Sequence, residues 1–122
     1  MKTSNDLNVY DKEFWTALDS LVDTHKIIID RPKGTAHPKY KDMIYKVDYG
    51  YLENTQSMDK GGIDIYVGAQ KQIGVNGIIC IVDLLKGDSE IKILLGCSDE
   101  EKRTIYESLN ATVNMKGMLI NR

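Results

Sequence analysis

Asp59, Asp64, Asp83, Asp88 and Glu90 fall at strand ends or in turns of the central part of the sequence, and Lys92 follows two residues after the last of them. Carboxylates gathered beside a lysine are what a hard cation and a phosphate group require. Magnesium takes oxygen ligands in near-octahedral geometry, commonly one or two carboxylates completed by water and substrate phosphates. The competing reading is that 18 acidic residues must lie somewhere and that turns are where they usually lie. Tyr45 and Tyr49 share one face of an extended segment and can donate hydroxyl hydrogen bonds to phosphate oxygens, or simply pack in the core. The loop from Arg31 to Lys41 carries four cations, Arg31, Lys33, Lys39 and Lys41, which can clamp an anion or stand in solvent.

Other chemistries have less support. His25 and His37 are isolated, without the paired spacing of a zinc site. No serine or cysteine stands in a nucleophile-elbow motif, and no glycine-rich phosphate loop is present, so water activated by a metal is the simplest hydrolytic agent. Cys80 and Cys97 end or interrupt apolar runs and are read as small packed hydrophobes, not as a bridge.

The elements that must hold these residues follow from periodicity. Phe14, Trp15, Leu18, Leu21 and Val22 recur at helical spacing between Asp11 and Thr24. Ile27-Ile28-Ile29 reads as a short buried strand stopped by Pro32 and Gly34. A strand is expected over Met43 to Leu52, with Met43, Tyr45, Val47, Tyr49 and Tyr51 on one face, and another over Ile63 to Val67 with Asp64 inside it. Gly77 to Leu85 and Glu90 to Leu95 form a hairpin through Lys86-Gly87-Asp88-Ser89, placing Glu90 and Lys92 on the same face. Ser98 and Glu101 form a capping box for a helix reaching about Asn110, and Met115 to Ile120 supplies a closing strand.

The order helix, several strands, helix, strand lacks the alternation of a parallel doubly wound sheet. The expectation is a mainly β fold with α: a small OB-like five-stranded antiparallel barrel with an N-terminal and a C-terminal flanking helix. Residues 1–122 are read as one domain, with 1–25 as an N-terminal helical extension. A formal charge of −2 gives no global basic field for a nucleic-acid backbone, although the seven tyrosines leave single-strand binding as a third hypothesis. No apolar run approaches the roughly 20 residues of a membrane span and the polar start lacks a signal-peptide core, so a cytoplasmic protein without a membrane partner is expected.

Between Ile27 and Lys92 the chain resembles the soluble inorganic pyrophosphatases. Asp30-Arg31-Pro32 is similar to the family's Glu-Ile-Pro, and Tyr45-Lys46-Val47-Asp48-Tyr49-Gly50-Tyr51 to its Tyr-Pro-x-Asn-Tyr-Gly-Phe/Tyr strand. Asp59-Lys60-Gly61-Gly62-Ile63-Asp64 resembles Asp-Gly-Asp-Pro-x-Asp, and Glu90-Ile91-Lys92 its Asp-x-Lys. The resemblance implies hydrolysis of pyrophosphate or a related phosphoanhydride with Mg2+ as cofactor. It implies Asp59, Asp64 and Glu90 as metal ligands, and Asp59, Asp64 and Lys92 as the catalytic set. Pyrophosphate would be held by Tyr45, Tyr49 and Lys92, with Lys33 or Lys39 in the place of the family's early lysine, and a homo-oligomer is expected.

The departures are specific. Gly61 replaces the family's middle aspartate, the hairpin arginine between Pro38 and Met43 is missing, and no Tyr-Lys pair follows the last helix. Asp83 or Asp88 is the expected substitute as ligand or base. These departures support the alternative of a binding domain that keeps the metal and phosphate pocket as a sensor or assembly subunit.

Overall fold

The computed structural model describes residues 8–57 and 61–122. Helix α1 (Asp11–Asp23) forms at the expected apolar repeat, with Asp11 and Glu13 in its first turn, where negative charge meets the positive end of the helix dipole. Six strands follow: β1 (Ile27–Arg31), β2 (Asp48–Leu52), β3 (Ile63–Val67), β4 (Val75–Asp83), β5 (Asp88–Leu95) and, after helix α2 (Asp99–Leu109), β6 (Met115–Asn121). They make one sheet in the order β1-β2-β3-β5-β4-β6, antiparallel throughout except for the parallel pair β3 and β5.

This architecture corrects the expected five-stranded antiparallel barrel. Among the described residues there are six strands, one pairing is parallel, and β1 and β6 are the two ends of the sheet instead of closing on each other. The reason lies in how the two faces are covered. Leu52, Ile65, Ile93 and Leu95 pack with Val22, Trp15, Leu18 and Leu21 of α1, whereas Tyr66, Ile79, Ile81 and Leu94 pack with Ile105 and Leu109 of α2. A sheet with a helix on each face buries both sides without curling into a barrel. The apolar run Ile93-Leu94-Leu95 at the end of β5, buried throughout, is the sequence mark of two covered faces.

Three local details position the candidate residues. Ser98 caps α2 as expected: its Oγ accepts from the Glu101 amide at 3.1 Å, and Glu101 Oε1 accepts from the Ser98 amide at 2.8 Å. Gly50 lets β1 lie against β2, since a Cβ there would collide with the Ile28 carbonyl. The expected strand from Met43 begins only at Asp48. Ahead of it, Tyr45 exchanges backbone hydrogen bonds with the loop at Gly34 and Thr35, at 2.8 and 2.9 Å.

Candidate active site

Register brings the polar face together. In an antiparallel pairing Tyr49 stands opposite Tyr66 and Tyr51 opposite Asp64, while β5 places Lys92 and Glu90 beside Ile79 and Ile81 of β4. The two-residue period of each strand then points Tyr49, Asp64, Tyr66, Glu90 and Lys92 to the side covered further along by α2. A register shift at Asp30 sets Arg31 opposite Tyr49, so the end of β1 joins the same row.

The centre of the row is the Lys92 ammonium. Its Nζ donates to Asp64 Oδ2 at 2.6 Å, to the Tyr49 hydroxyl at 2.8 Å and to Glu90 Oε1 at 3.3 Å. Three acceptors match the three N–H groups of an ammonium. The side chains of Lys92, Asp64 and Glu90 are only 8%, 15% and 9% exposed, which removes most solvent screening from the cluster. Burial is the largest influence on Lys92 and works against its charge, but Asp64, Tyr66 and Glu90 together outweigh it and hold its pKa above the ordinary value. Burial and then the Asp64 carboxylate push the Tyr49 hydroxyl far upward, so Tyr49 acts as a neutral hydrogen-bonding group.

A second set of contacts extends the row. The Tyr45 and Tyr49 rings stack 5.4 Å apart at 15°, and Tyr49 meets Tyr66 at 4.6 Å. Four residues of extended strand span about 13 Å, so Tyr45 reaches Tyr49 because the chain bends before β2 instead of running straight as expected. Arg31 Nη1 donates to the Tyr45 hydroxyl at 2.6 Å, and its guanidinium carbon lies 5.7 and 5.6 Å from the Tyr45 and Tyr49 ring centres. His37 stacks on the other part of Tyr45 at 6.3 Å. Burial, then Arg31 and Lys39, hold its imidazole pKa down, in keeping with Nδ1 accepting from the amides of Lys39 and Tyr40 at 3.0 and 3.3 Å.

Of the residues singled out from sequence, Asp64, Glu90, Lys92, Tyr45 and Tyr49 therefore come together. Asp59 lies outside the described residues. Lys33 and Lys39 sit on the exposed loop, where the hydrogen bonds recorded for them come from their backbone amides, Lys33 to Asp48 Oδ1 at 2.8 Å and Lys39 to His37. Asp83 ends β4, and its Oδ1 accepts from the amides of Leu85 and Lys86 at 3.0 and 3.1 Å. Asp88 pairs with Asp83 across the same hairpin. Sequence reading placed Arg31 within a cationic loop and within the element similar to Glu-Ile-Pro, gave it no role of its own there, and passed over Tyr66. Both assignments depend on register, and the one-residue shift at Asp30 has no sequence signal we can name.

The donor set suits a hard cation. Asp64 and Glu90 offer carboxylate oxygens from different strands that already touch a single positive centre, and one or two carboxylates are the usual protein share of a magnesium site. Among the described residues no group of three or more His, Cys, Asp or Glu gathers as a metal site, so the pair is what they offer. Comparison with protein-family models and with curated proteins gives no match to this chain.

Proposed function

We propose that this chain is a magnesium-dependent hydrolase of inorganic pyrophosphate or a related small phosphoanhydride. The observation that carries the reading is the meeting of Asp64, Glu90 and Tyr49 at the Lys92 ammonium, from three different strands. The substrate class comes from the resemblance of the Tyr45–Tyr51 and Asp59–Asp64 segments to the soluble inorganic pyrophosphatases. Asp64 and Glu90 would hold the metal, joined by Asp59 if the resemblance extends to that loop. When bound, magnesium supplies a Lewis acid to phosphoryl oxygens and lowers the pKa of a coordinated water.

The chain's own residues do the rest. The Lys92 ammonium neutralises charge on the leaving phosphate, and its longest contact, to Glu90, is the one to yield when a phosphate oxygen arrives. Tyr49 keeps its proton and orients a phosphate oxygen. Gly61 offers no carboxylate to take the proton of the attacking water, and general-base help of that kind contributes about 10²–10⁴-fold. The turnover expected is therefore slow but dependent on Asp64.

A phosphate-release assay on purified protein with magnesium and pyrophosphate tests this, comparing the wild type with Asp64→Ala. Equal release from both would assign the activity to a contaminant. The second reading, a binding domain without turnover, is favoured by Gly61 and by an ammonium whose three donors are all occupied. Ligand-dependent thermal stabilisation with no phosphate release would select it.

Two further expectations belong to this proposal. Both cysteines are free thiols, in accord with a reducing cytoplasm. Val82, Ile91, Met118 and Ile120 stand exposed side by side on the α1 face of the sheet, an apolar patch suited to a second copy of the chain. Light scattering should find a dimer or larger that Met118→Lys dissociates. A monomeric wild type would remove that expectation.

A further inference from the structure

Among the described residues, Arg31 is the cation of this face that stands outside any ion pair. Lys92 lies between Asp64 and Glu90, and Arg122 pairs with Asp19, whereas Arg31 meets no carboxylate among the described residues. It is nevertheless held in place. One donor goes to the Tyr45 hydroxyl at 2.6 Å, and the guanidinium lies over two rings that are themselves stacked. Tyr45 is buried and backed by His37, so this support is firm. A guanidinium has five N–H donors, and Tyr45 is the one side-chain acceptor that Arg31 uses among the described residues. A positioned fork that no ion pair occupies, with Asp30 beside it in the chain favouring its charge, is what recognition of a phosphate needs, because the remaining donors can bind two oxygens at once with little further loss of freedom.

Its place relative to Lys92 narrows the ligand. The Arg31 carbon and the Lys92 nitrogen lie 5.6 and 5.2 Å from the centre of the same Tyr49 ring. Two cations gathered around one tyrosine match an anion with two charged groups better than a single phosphate. We propose that Arg31 forms a second anion subsite, which takes the distal phosphoryl group of a diphosphate while Lys92 and Tyr49 meet the first. The pocket then selects diphosphate over inorganic phosphate. This rests on the hydrolase reading for the identity of the anion, but not for its turnover.

The test is calorimetric titration of methylenediphosphonate, a diphosphate analogue that is not hydrolysed, and of inorganic phosphate, both with magnesium. The wild type, Arg31→Gln, Arg31→Lys and Tyr45→Phe are compared. Arg31→Gln should weaken diphosphonate binding by about 10- to 100-fold, the loss of a charge-assisted contact, and leave phosphate affinity within about twofold. Arg31→Lys keeps the charge without the fork and should fall between. Tyr45→Phe frees the guanidinium and should cost about threefold for the diphosphonate only. Equal losses for both ligands, or no loss for either, would overturn the subsite. If Arg31→Gln does not fold, an unchanged diphosphonate affinity in Arg31→Lys overturns it equally. Arg31-dependent binding of the diphosphonate without phosphate release from pyrophosphate would remove the hydrolase reading and leave the subsite standing. Turnover whose KM is unmoved by Arg31→Gln would do the reverse.

Discussion

Replacing Lys92 by Met keeps most of the stem and removes the ammonium from between Asp64 and Glu90. The two carboxylates are 15% and 9% exposed and lose the cation that answers them. Removing one partner of a buried ion pair costs about 3–5 kcal/mol, most of it the penalty of the charge left behind. The residual exposure of Asp64 and the 3.3 Å contact to Glu90 place this site near the lower figure, about 3 kcal/mol. That is a large part of a total stability of about 5–15 kcal/mol. Urea denaturation should show it as a lower midpoint with an unchanged slope. Because the cost sits on the stranded carboxylates, Lys92→Met combined with Asp64→Asn should regain about half of it. The pH dependence has a definite sign. The folded-state pKa of Lys92 is raised above its ordinary 10.5, so its contribution is complete below that pH and fades as the pH climbs through the folded-state value. The gap between wild type and Lys92→Met should therefore shrink in strongly alkaline solution. A deficit below about 1 kcal/mol at neutral pH, or an equal deficit in the double variant, would refute the reasoning.

Gly50→Ala drives a methyl group into the Ile28 carbonyl and should lower the melting temperature by about 10 °C in a circular-dichroism melt; a change of under about 3 °C would mean β1 does not sit this close to β2. Asp83→Ala strips two turn amides of their acceptor and should cost about 1–2 kcal/mol in urea while leaving magnesium-dependent binding intact; loss of that binding with no loss of stability would make Asp83 part of the site. Burial and then Glu101 push the Cys97 thiol up to about 12, whereas Cys80 is partly exposed, so Ellman's reagent at mildly alkaline pH should titrate one thiol in the native protein and the second only after denaturation. Rapid reaction of both thiols would contradict that burial.

Local signals were legible where the chemistry is local. The Ser98 and Glu101 box, the apolar repeat of α1 and the hairpin ahead of Glu90 each involve residues a few positions apart; the first two stand where their patterns put them, and the hairpin forms with its turn two residues earlier than expected, between Asp83 and Asp88. What the sequence hid is long-range. The insertion of β5 between β3 and β4 creates the parallel pair and brings Lys92 to Asp64, 28 positions earlier, yet neither strand's own pattern names its neighbour. Asp64 and Glu90 could be picked out because carboxylates inside apolar strands need partners. Arg31 could not, because its placement depends on a bulge one residue before it, and without that shift the side chain would turn to the other face.

Charge accounting on the face explains why the two proposals support each other. Lys92 carries one positive charge against the two carboxylates it contacts, so that cluster by itself leaves one negative charge in a poorly screened place. An incoming diphosphate meets net repulsion there unless further positive charge is supplied, and like charges at short range in a buried site cost more than surface screening can return. A divalent cation held by Asp64 and Glu90 would reverse the sign of the cluster and leave Lys92 to turn towards the ligand. Arg31 supplies the remaining positive charge from outside the carboxylate pair, across Tyr49. In the proposed complex the two sources would act on different parts of the anion: the metal on the phosphoryl group next to the carboxylates, the guanidinium on the one furthest from them. Diphosphate affinity should accordingly fall steeply when magnesium is withdrawn, and the part that survives should be the part that Arg31→Gln removes.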